Sequence, residues 1–351
     1  MSQNPPLLDN TAKATTISQR KLKHVEICLN YPVEYESLTT GFETFQLPYK
    51  ALPETDLNAI DMRCEFLGKR LQAPILIGAM TGGAELAGKI NRHLASAAHQ
   101  LGIGLMLGSQ RVMLAHPQHK TSFLVRDVAP DILLIGNLGV AQLNKGFGEK
   151  EVKLAIESIG ADALALHTNP LQEAMQFEGD GDFSALIPKI SQLSQDVPYP
   201  LLLKEVGHGL SGEVAWALRE SGLAAFDVAG AGGTSWAKVE AFARYGELRF
   251  KELCEWGIPT AKALADIHQL LPEMPLIASG GIRSGVDAAK ALMMGASVIA
   301  MARPLLKAAI ESSKAVIEYL ESFIWELRVA MHCMGAKDLA ALKKLNFKTH
   351  P

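Results

Sequence analysis

Short apolar runs recur along the chain, and polar stretches of helix length separate them. The runs predicted as strands lie at 74–79, 102–107, 132–135, 163–166, 201–204, 225–229, 276–278 and 298–301. Continuous apolar runs are typical of strands that are buried on both faces of a parallel sheet. Segments with helical spacing lie between them, for example at 89–100, 149–158, 213–220 and 286–294.

Eight strands that alternate with helices predict an α/β protein with a (β/α)8 TIM barrel. The longest gap separates the sixth and seventh runs and contains Trp236, Phe242 and Trp256. We interpret this gap as an insertion at about 235–270 that acts as a lid. The predicted organisation is a flexible N-terminus at 1–19, an N-terminal extension at 20–73, the barrel at 74–310 and a C-terminal helical segment at 311–351.

Composition narrows the class of protein. The 351 residues are 48% hydrophobic, which is enough for one large core. The 34 Lys and Arg residues nearly balance the 37 Asp and Glu residues, which argues against nucleic-acid or membrane-surface binding. No stretch is long and apolar enough to predict a transmembrane helix. The four cysteines are scattered without a Cys-x-x-Cys pair, which predicts reduced thiols and a cytoplasmic protein.

Polar residues and glycines follow the predicted strands at their C-terminal ends, where barrel enzymes place their sites. After the seventh strand come Gly280 and Gly281, and Arg303 follows the eighth. Glycines allow backbone N–H groups to approach a phosphate, and helix N-termini add partial positive charge. The two loops are therefore either a phosphate site or two ordinary turns.

Lys204 ends an otherwise apolar strand. A buried lysine needs a partner, because burying an unpaired charge is costly. The partner is either a nearby carboxylate, Glu205 or Asp227, or the anionic part of a cofactor.

Cations are concentrated near the N-terminus, in the motif Arg20-Lys21-x-Lys23-His24. Such runs are often only solvated. The alternative is a diphosphate site that Arg111, just after the second strand, also joins, since arginine binds phosphate through a two-pronged hydrogen bond.

Acidic residues gather after the fourth strand. Mg²⁺ binds one or two carboxylates together with substrate phosphates, so Glu173 alone would suffice as a protein ligand. The second acidic group, at 178–182, is interpreted as turn chemistry.

Five motifs together resemble the type 2 isopentenyl diphosphate isomerases, which are FMN-dependent barrel enzymes. In chain order they are Arg20-Lys21-x-x-His24, Met80-Thr81-Gly82-Gly83, His167-x-Asn169-x-x-Gln172-Glu173, Lys204-Glu205-x-Gly207 and Gly232-Gly233-Thr234. The resemblance extends from about residue 20 to about residue 337. The most specific parts are the Arg-Lys pair and the His-x-Asn-x-x-Gln-Glu motif. The Gly-Gly-Ile-Arg element at 280–283 is shared with many FMN barrels.

The resemblance implies a site for each ligand. The residues implied for FMN are Ala79, Met80, Thr81, Gly82, Ser109, Asn137, Lys204, Thr234, Gly280, Gly281, Ile282, Arg283, Met301 and Ala302. The residues implied for substrate are Arg20, Lys21, His24, Ser109, Gln110, Arg111, His167, Asn169 and Gln172. Gln172, Lys204 and His167 would be catalytic, and Glu173 would bind Mg²⁺. The extension at 20–73 would then be a substrate-clamp segment.

The implied reaction interconverts isopentenyl and dimethylallyl diphosphate in isoprenoid biosynthesis. The resemblance also implies that FMN acts in its reduced form, that NADPH is the reductant and that the protein is a homo-oligomer, a tetramer or an octamer. Two alternatives remain open: an FMN-dependent 2-hydroxy acid oxidase or dehydrogenase, and a non-catalytic flavin-binding barrel. The oxidases need a histidine base and an arginine near the flavin, and the end of the sixth strand, at 228–233, contains neither.

Overall fold

The computed structural model describes residues 17–349, so residues 1–16 of the predicted flexible N-terminus lie outside the described chain, as do residues 350 and 351. The strands are β1 (Phe45–Gln46), β2 (Cys64–Phe66), β3 (Lys69–Leu71), β4 (Ile75–Ile77), β5 (Gly104–Met106), β6 (Leu134–Gly139), β7 (Ala163–His167), β8 (Leu201–Lys204), β9 (Ala225–Asp227), β10 (Leu276–Ser279), β11 (Val298–Met301) and β12 (Lys348–Thr349).

Strands β4 to β11 form a closed barrel in which every neighbouring pair is parallel. Consecutive strands are neighbours, and β11 closes the ring by pairing with β4. The predicted (β/α)8 barrel is therefore confirmed, and all eight predicted apolar runs contain a barrel strand or overlap one.

Helices surround the barrel. The longer ones are α1 (Ile17–Asn30), α2 (Glu85–Leu101), α4 (Glu149–Glu157), α6 (Leu186–Asp196), α8 (Trp236–Tyr245), α10 (Thr260–Leu270), α11 (Gly285–Met293), α12 (Arg303–Glu311) and α13 (Ser313–Met334). The short ones are α3 (Arg111–Ala115), α5 (Pro170–Met175), α7 (Gly212–Ala217), α9 (Lys251–Cys254) and α14 (Leu339–Lys343). Within residues 17–349 we find no helix long and apolar enough to cross a bilayer.

Alternate side chains of the barrel strands form an interior core, and the others pack outward against the helices. Leu76, Met106 and Ile277 are among the interior residues, and all three are buried. Phe66 and Leu71 of the β2–β3 hairpin join the same cluster. Since this hairpin precedes β4, it closes the N-terminal end of the barrel and leaves the opposite end for a site.

The N-terminal segment lies against the other end of the barrel. Helix α1 packs against α8 and α12. The Tyr35 N–H donates to the Gly233 carbonyl, and the Ser235 N–H donates to the Val33 carbonyl. Helix α1 begins at Ile17, so residues 17–19 of the segment predicted as a flexible N-terminus are helical.

The long connection between β9 and β10 contains three helices. Helix α10 packs against α7 and β10, as an ordinary barrel helix does. Helix α8 packs against α1 and α5 instead, at the mouth of the barrel, and α9 packs against α8. Of the stretch that the sequence predicts as an insertion, α8 and α9 are therefore additional to the barrel and α10 belongs to it.

The C-terminal segment completes the outer layer. Helix α13 packs along α11, α2 and α12. Strand β12 then pairs antiparallel with β1, which joins the C-terminal segment to the N-terminal segment.

Candidate functional site

Two adjoining cavities open among the loops that follow the barrel strands. The first has a volume of about 440 Å³ and lies among the loops after β4, β8, β9, β10 and β11. The second has a volume of about 160 Å³ and lies among the loops after β4 to β8. Residues common to both cavities are Lys21, His24, Ala79, Met80, Lys204, Val206 and Trp236. A ligand in one cavity therefore lies beside a ligand in the other.

Backbone forms much of the wall of the first cavity after β10. Gly280 has a φ of 96°, and a Cβ placed on it would lie 2.0 Å from the Gly230 carbonyl oxygen. Only glycine fits such a position. Helix α12 begins at Arg303, beside Met301 and Ala302 in the same wall, so its N-terminus faces the cavity. Peptide groups and a helix N-terminus of this kind bind phosphate.

Two arginines of the first cavity meet a carboxylate from the N-terminal segment. Arg283 Nη2 lies 2.7 Å from Glu34 Oε1, and Arg303 binds the same oxygen. Arg303 Nε also donates to the Cys28 carbonyl at 2.9 Å. The segment after α1 is thus held against the loops that follow β10 and β11.

Lys204 is only 7% exposed and lies in the wall of both cavities. Its ammonium group donates to the backbone carbonyl of Glu205. The Glu205 carboxylate does not pair with Lys204, because it accepts the backbone N–H groups of residues 206 to 209. Burial raises the pKa of Asp227, whose neighbour is Lys204. Within residues 17–349 no ion pair of Lys204 is formed.

His167 ends β7 and lies in the second cavity. Its Nδ1 lies 2.7 Å from the Asn137 Oδ1, so the ring donates through Nδ1. Burial, with the charges of Lys204, Lys21 and Arg111, lowers the pKa of His167 to about 3. Burial and these three cations therefore favour the neutral imidazole.

The next motif residues share one face of α5. Asn169 precedes the helix, and residues three and four positions later face the same way. Its Nδ2 donates to both Gln172 Oε1 and Glu173 Oε1, each at 3.0 Å. The Glu173 Oε2 accepts the Asp180 N–H at 2.6 Å. A single network thus orients the side chains of Gln172 and Glu173, both of which line the second cavity.

Glu240, on α8, is a site residue that the sequence analysis missed. It is 2% exposed, and its Oε1 accepts the Gln172 Nε2 at 2.9 Å and lies 3.3 Å from the His24 Nε2. His24 also contacts Trp236 edge to face, with ring centroids 5.5 Å apart. Glu240 follows Trp236 by four residues and so shares its helix face. That spacing is the only signal in the sequence that pointed to Glu240.

The predicted cations Arg20, Lys21 and Arg111 all line the second cavity. Lys21 Nζ donates to the Ser109 carbonyl at 2.7 Å and lies 5.5 Å from the centre of the Phe123 ring. Burial, together with the charges of Arg20 and Arg111, lowers the pKa of Lys21 to about 7. Two adjacent cations of α1 therefore meet Arg111, from a distant part of the chain, in one small space, which favours a multiply charged anion.

Two predicted site residues lie outside the walls of both cavities. Gln110 is fully buried. Its Nε2 donates to the Ala155 carbonyl, and its Oε1 accepts from the Asn137 N–H. The structure therefore does not bring the Gln110 side chain to the predicted substrate site. Gly82 faces Phe123, since a Cβ on it would lie 2.2 Å from that ring. The absence of a side chain at Gly82 allows Phe123 to pack closely against it.

The other predicted residues line the cavities. The first cavity contains Ala79, Met80, Thr81, Lys204, Thr234, Gly280, Gly281, Ile282, Arg283, Met301 and Ala302. The second contains Arg20, Lys21, His24, Ser109, Arg111, Asn137, His167, Asn169, Gln172 and Glu173. Ser109 and Asn137, predicted to contact FMN, thus lie in the second cavity, where it adjoins the first.

A closed (β/α)8 barrel with a phosphate-type loop after its seventh strand is the architecture of many flavin enzymes. The sequence profile of the family described as FMN-dependent dehydrogenase matches residues 136–349. Solved structures show the same fold. A mandelate oxidase variant is 17% identical with a TM-score of 0.65, covering 94% of this chain and 97% of the other. A putative lactate oxidase of Pediococcus acidilactici is 17% identical with a TM-score of 0.62, covering 95% and 94%.

Much greater similarity is found among curated proteins named isopentenyl-diphosphate delta-isomerase. The protein of Mycolicibacterium vanbaalenii is 56% identical and covers 94% of this chain and 96% of its own length. That of Deinococcus radiodurans is 52% identical and covers 93% and 97%. The chain belongs to the isopentenyl-diphosphate delta-isomerase family, which confirms the resemblance seen in the sequence.

Proposed function

We propose that this enzyme interconverts isopentenyl diphosphate and dimethylallyl diphosphate. The proposal rests on the pair of adjoining cavities. The wall of the first includes the glycine loop after β10, and the wall of the second includes the three cations together with Asn169, Gln172 and Glu173. The first cavity fits FMN, and the second fits a small diphosphate. Lys204 lies in the wall between them.

The residues of the first cavity suit FMN. Its volume falls within the roughly 300–1,000 Å³ of small-molecule sites. The loop at Gly280 and the N-terminus of α12 would hold the phosphate. When bound in its reduced form, FMN supplies a group that both gives and takes a proton without net electron transfer. Lys204 then holds a fixed positive charge beside the ring, which is electrostatic stabilisation by a preorganised group.

The diphosphate is proposed to bind Arg20, Lys21 and Arg111 in the second cavity. Charge-assisted hydrogen bonds of this kind are the strong ones, and arginine can bind two phosphate oxygens at once. Anchoring the charged end leaves the hydrocarbon end to be placed near the first cavity, so binding energy orients the reacting carbon atoms.

Glu173 is proposed to bind Mg²⁺ together with the diphosphate. Its carboxylate lines the second cavity, close to the three cations. Within residues 17–349 there is no cluster of three or more acidic, histidine or cysteine side chains that could hold a metal. One carboxylate nevertheless fits Mg²⁺, since this ion usually takes one or two protein carboxylates, with waters and substrate phosphates as its other ligands.

Gln172 is proposed to position the hydrocarbon end. Its amide is held at both ends, since Nε2 donates to Glu240 and Oε1 accepts from Asn169. His167, whose surroundings favour the neutral imidazole, is proposed to bind substrate through its ring rather than to act as a charged acid. His24 and Trp236 complete this side of the cavity.

We also propose four properties of the enzyme that rest on the family resemblance. These are a dependence on Mg²⁺, NADPH as the reductant, a place in isoprenoid biosynthesis and assembly into a homo-oligomer that is a tetramer or an octamer. A cytoplasmic location is supported by cysteines that are unpaired in the structure.

The test supplies FMN, Mg²⁺ and dithionite without oxygen and measures the conversion of isopentenyl diphosphate to dimethylallyl diphosphate. Lactate and mandelate are assayed with the oxidised enzyme as the competing reaction. Formation of dimethylallyl diphosphate supports the proposal. Turnover of a 2-hydroxy acid without isomerisation would favour the oxidase alternative, and FMN binding without either reaction would favour a non-catalytic barrel.

A further inference from the structure

Asp180 belongs to the acidic stretch that the sequence analysis assigned to turn chemistry, yet its side chain is buried. The side chain is 6% exposed, against 26% for Arg111 and 55% for Lys145, the two cations that it binds. Arg111 Nη1 lies 2.5 Å from Asp180 Oδ2, and Gln142 Nε2 donates to the same oxygen at 2.7 Å. Lys145 binds the other oxygen. One side chain from α3 and two from the segment that follows β6 thus converge on one carboxylate.

The backbone of Asp180 also contacts the proposed metal ligand. Its N–H donates to Glu173 Oε2 at 2.6 Å, while Oε1 accepts from Asn169. The same residue therefore touches the guanidinium that is proposed to bind diphosphate and the carboxylate that is proposed to bind Mg²⁺.

Asp180 itself does not line either cavity, whereas Arg111, Gln142 and Glu173 line the second. It lies behind these residues and does not occupy the place of a phosphate. A carboxylate behind Arg111 and Glu173 supports these side chains and does not compete with the ligand.

We propose that Asp180 is a positioning residue that fixes Arg111 and Glu173 in the geometry needed for a Mg²⁺–diphosphate group. The inference deepens the proposed function and rests on it for the identity of the ligand.

The chemistry of arginine explains the benefit. Its guanidinium carries five N–H groups in a fixed plane, so a carboxylate that holds one side of the plane also aims the remaining donors. A long side chain fixed before binding loses less conformational entropy when the anion arrives. The Asp180 N–H likewise limits the rotation of the Glu173 carboxylate.

The negative charge of Asp180 also indicates that this residue supports Arg111 and Glu173 and does not itself attract the diphosphate. Asp180 forms ion pairs with both Arg111 and Lys145. Its negative charge by itself repels diphosphate, so a substitution that removes the charge should tighten binding if Asp180 has no positioning role.

Asp180→Asn tests the inference, since it removes the charge but keeps the backbone N–H and the size. Binding of inorganic diphosphate with Mg²⁺ to the FMN-loaded enzyme is measured by calorimetry, and KM and kcat are measured for isopentenyl diphosphate. We expect Kd and KM to rise about tenfold, as the loss of one charge-assisted contact implies, with kcat little changed. Asp182→Asn is the matched control, because Asp182 is exposed in the same loop and its carboxylate accepts from the backbone N–H and the hydroxyl of Ser184.

A double-mutant cycle separates positioning from general stability. In an Arg111→Ala background, Asp180→Asn should weaken diphosphate binding far less than it does in the wild type, since the two residues act as one unit. An unchanged or lower Kd in the single variant would overturn the inference. So would an equal loss in the Arg111→Ala background.

Two further measurements keep the test decisive. If Asp180→Asn does not fold, Asp180→Glu is used, which keeps the charge but displaces the carboxylate. It should still weaken binding, and wild-type affinity in this variant would refute the positioning role. Inorganic diphosphate binds without turnover. A wild-type enzyme that binds it but does not isomerise isopentenyl diphosphate would therefore contradict the proposed function. The inference about Asp180 would still be tested by the Kd values for inorganic diphosphate.

Discussion

Lys21 is a residue whose charge depends on its surroundings. Burial and two neighbouring arginines lower its pKa to about 7, so its ammonium group is charged below that pH and loses its proton above it. Because a bound diphosphate favours the charged form, the free enzyme must take up a proton to bind substrate at high pH.

A pH dependence follows from this shift. We expect kcat/KM for isopentenyl diphosphate to fall as the pH rises above about 7, approaching tenfold per pH unit well above the pKa. In Lys21→Arg the group stays charged, so the fall should be weaker. Since the substrate titrates equally with both enzymes, the ratio of the two profiles reports Lys21 alone. Parallel profiles would show that Lys21 does not bind the anion.

Glu173 allows a separate test of the metal site. Glu173→Gln keeps the size of the side chain but removes the anionic oxygen that Mg²⁺ prefers. We expect lower activity and a higher Mg²⁺ concentration at half-maximal rate. Glu178→Gln, at an exposed position of the loop that follows α5, is the control. An unchanged Mg²⁺ titration of Glu173→Gln would remove this residue from the metal site.

At the scale of elements, the loop between β10 and α11 forms part of the wall of the first cavity. Gly280→Ala would place a methyl group 2.0 Å from the Gly230 carbonyl oxygen at a φ of 96°. The loop must therefore shift, and we expect FMN affinity to fall together with thermal stability. FMN fluorescence on release and thermal melting measure the two effects.

Gly246 is the matched control for this substitution. It also has a positive φ, of 72°, but a Cβ there would have no neighbour within 4 Å. Gly246→Ala should therefore cost about 1 kcal/mol of stability from backbone strain and leave FMN affinity unchanged. Equal FMN affinities in the two variants would show that the Gly280 loop does not hold the phosphate.

At the scale of the whole molecule, the proposed reaction transfers no net electrons. We expect the aerobic enzyme to be inactive and to become active when NADPH or dithionite is added without oxygen. Far less than one reductant should be consumed per product. Lys204→Ala should destabilise the reduced form of the bound FMN in particular, because it removes the positive charge beside the flavin ring.

The decisive measurement counts dimethylallyl diphosphate formed per NADPH oxidised under anaerobic conditions. A fixed ratio of one to one, or full activity of the oxidised enzyme, would contradict the proposed mechanism. The spectrum of the bound flavin, recorded in the same cuvette, shows which redox state is present.

The barrel, and the end of it that carries the candidate site, could be predicted from the pattern of apolar runs and of the polar residues that follow them. Continuous apolar runs marked strands that are buried on both faces, and parallel strands bring all their C-terminal ends to one mouth. Both features follow from periodicity within single elements. The spacing of Asn169, Gln172 and Glu173 is visible in the sequence, but the structure shows that a helix brings the three side chains to one face.

The contacts between side chains of different elements depend on the tertiary structure and could not be predicted from the sequence. Gln110 follows a strand as the other site residues do, yet packing turns its side chain into the core. Asp180 reads as a turn residue, and its role depends on Arg111, 69 positions away in the chain. Glu240 meets His24 and Gln172 because α8 packs against α1 and α5. Periodicity defines the face of an element, but the contacts made by that face are set by long-range packing.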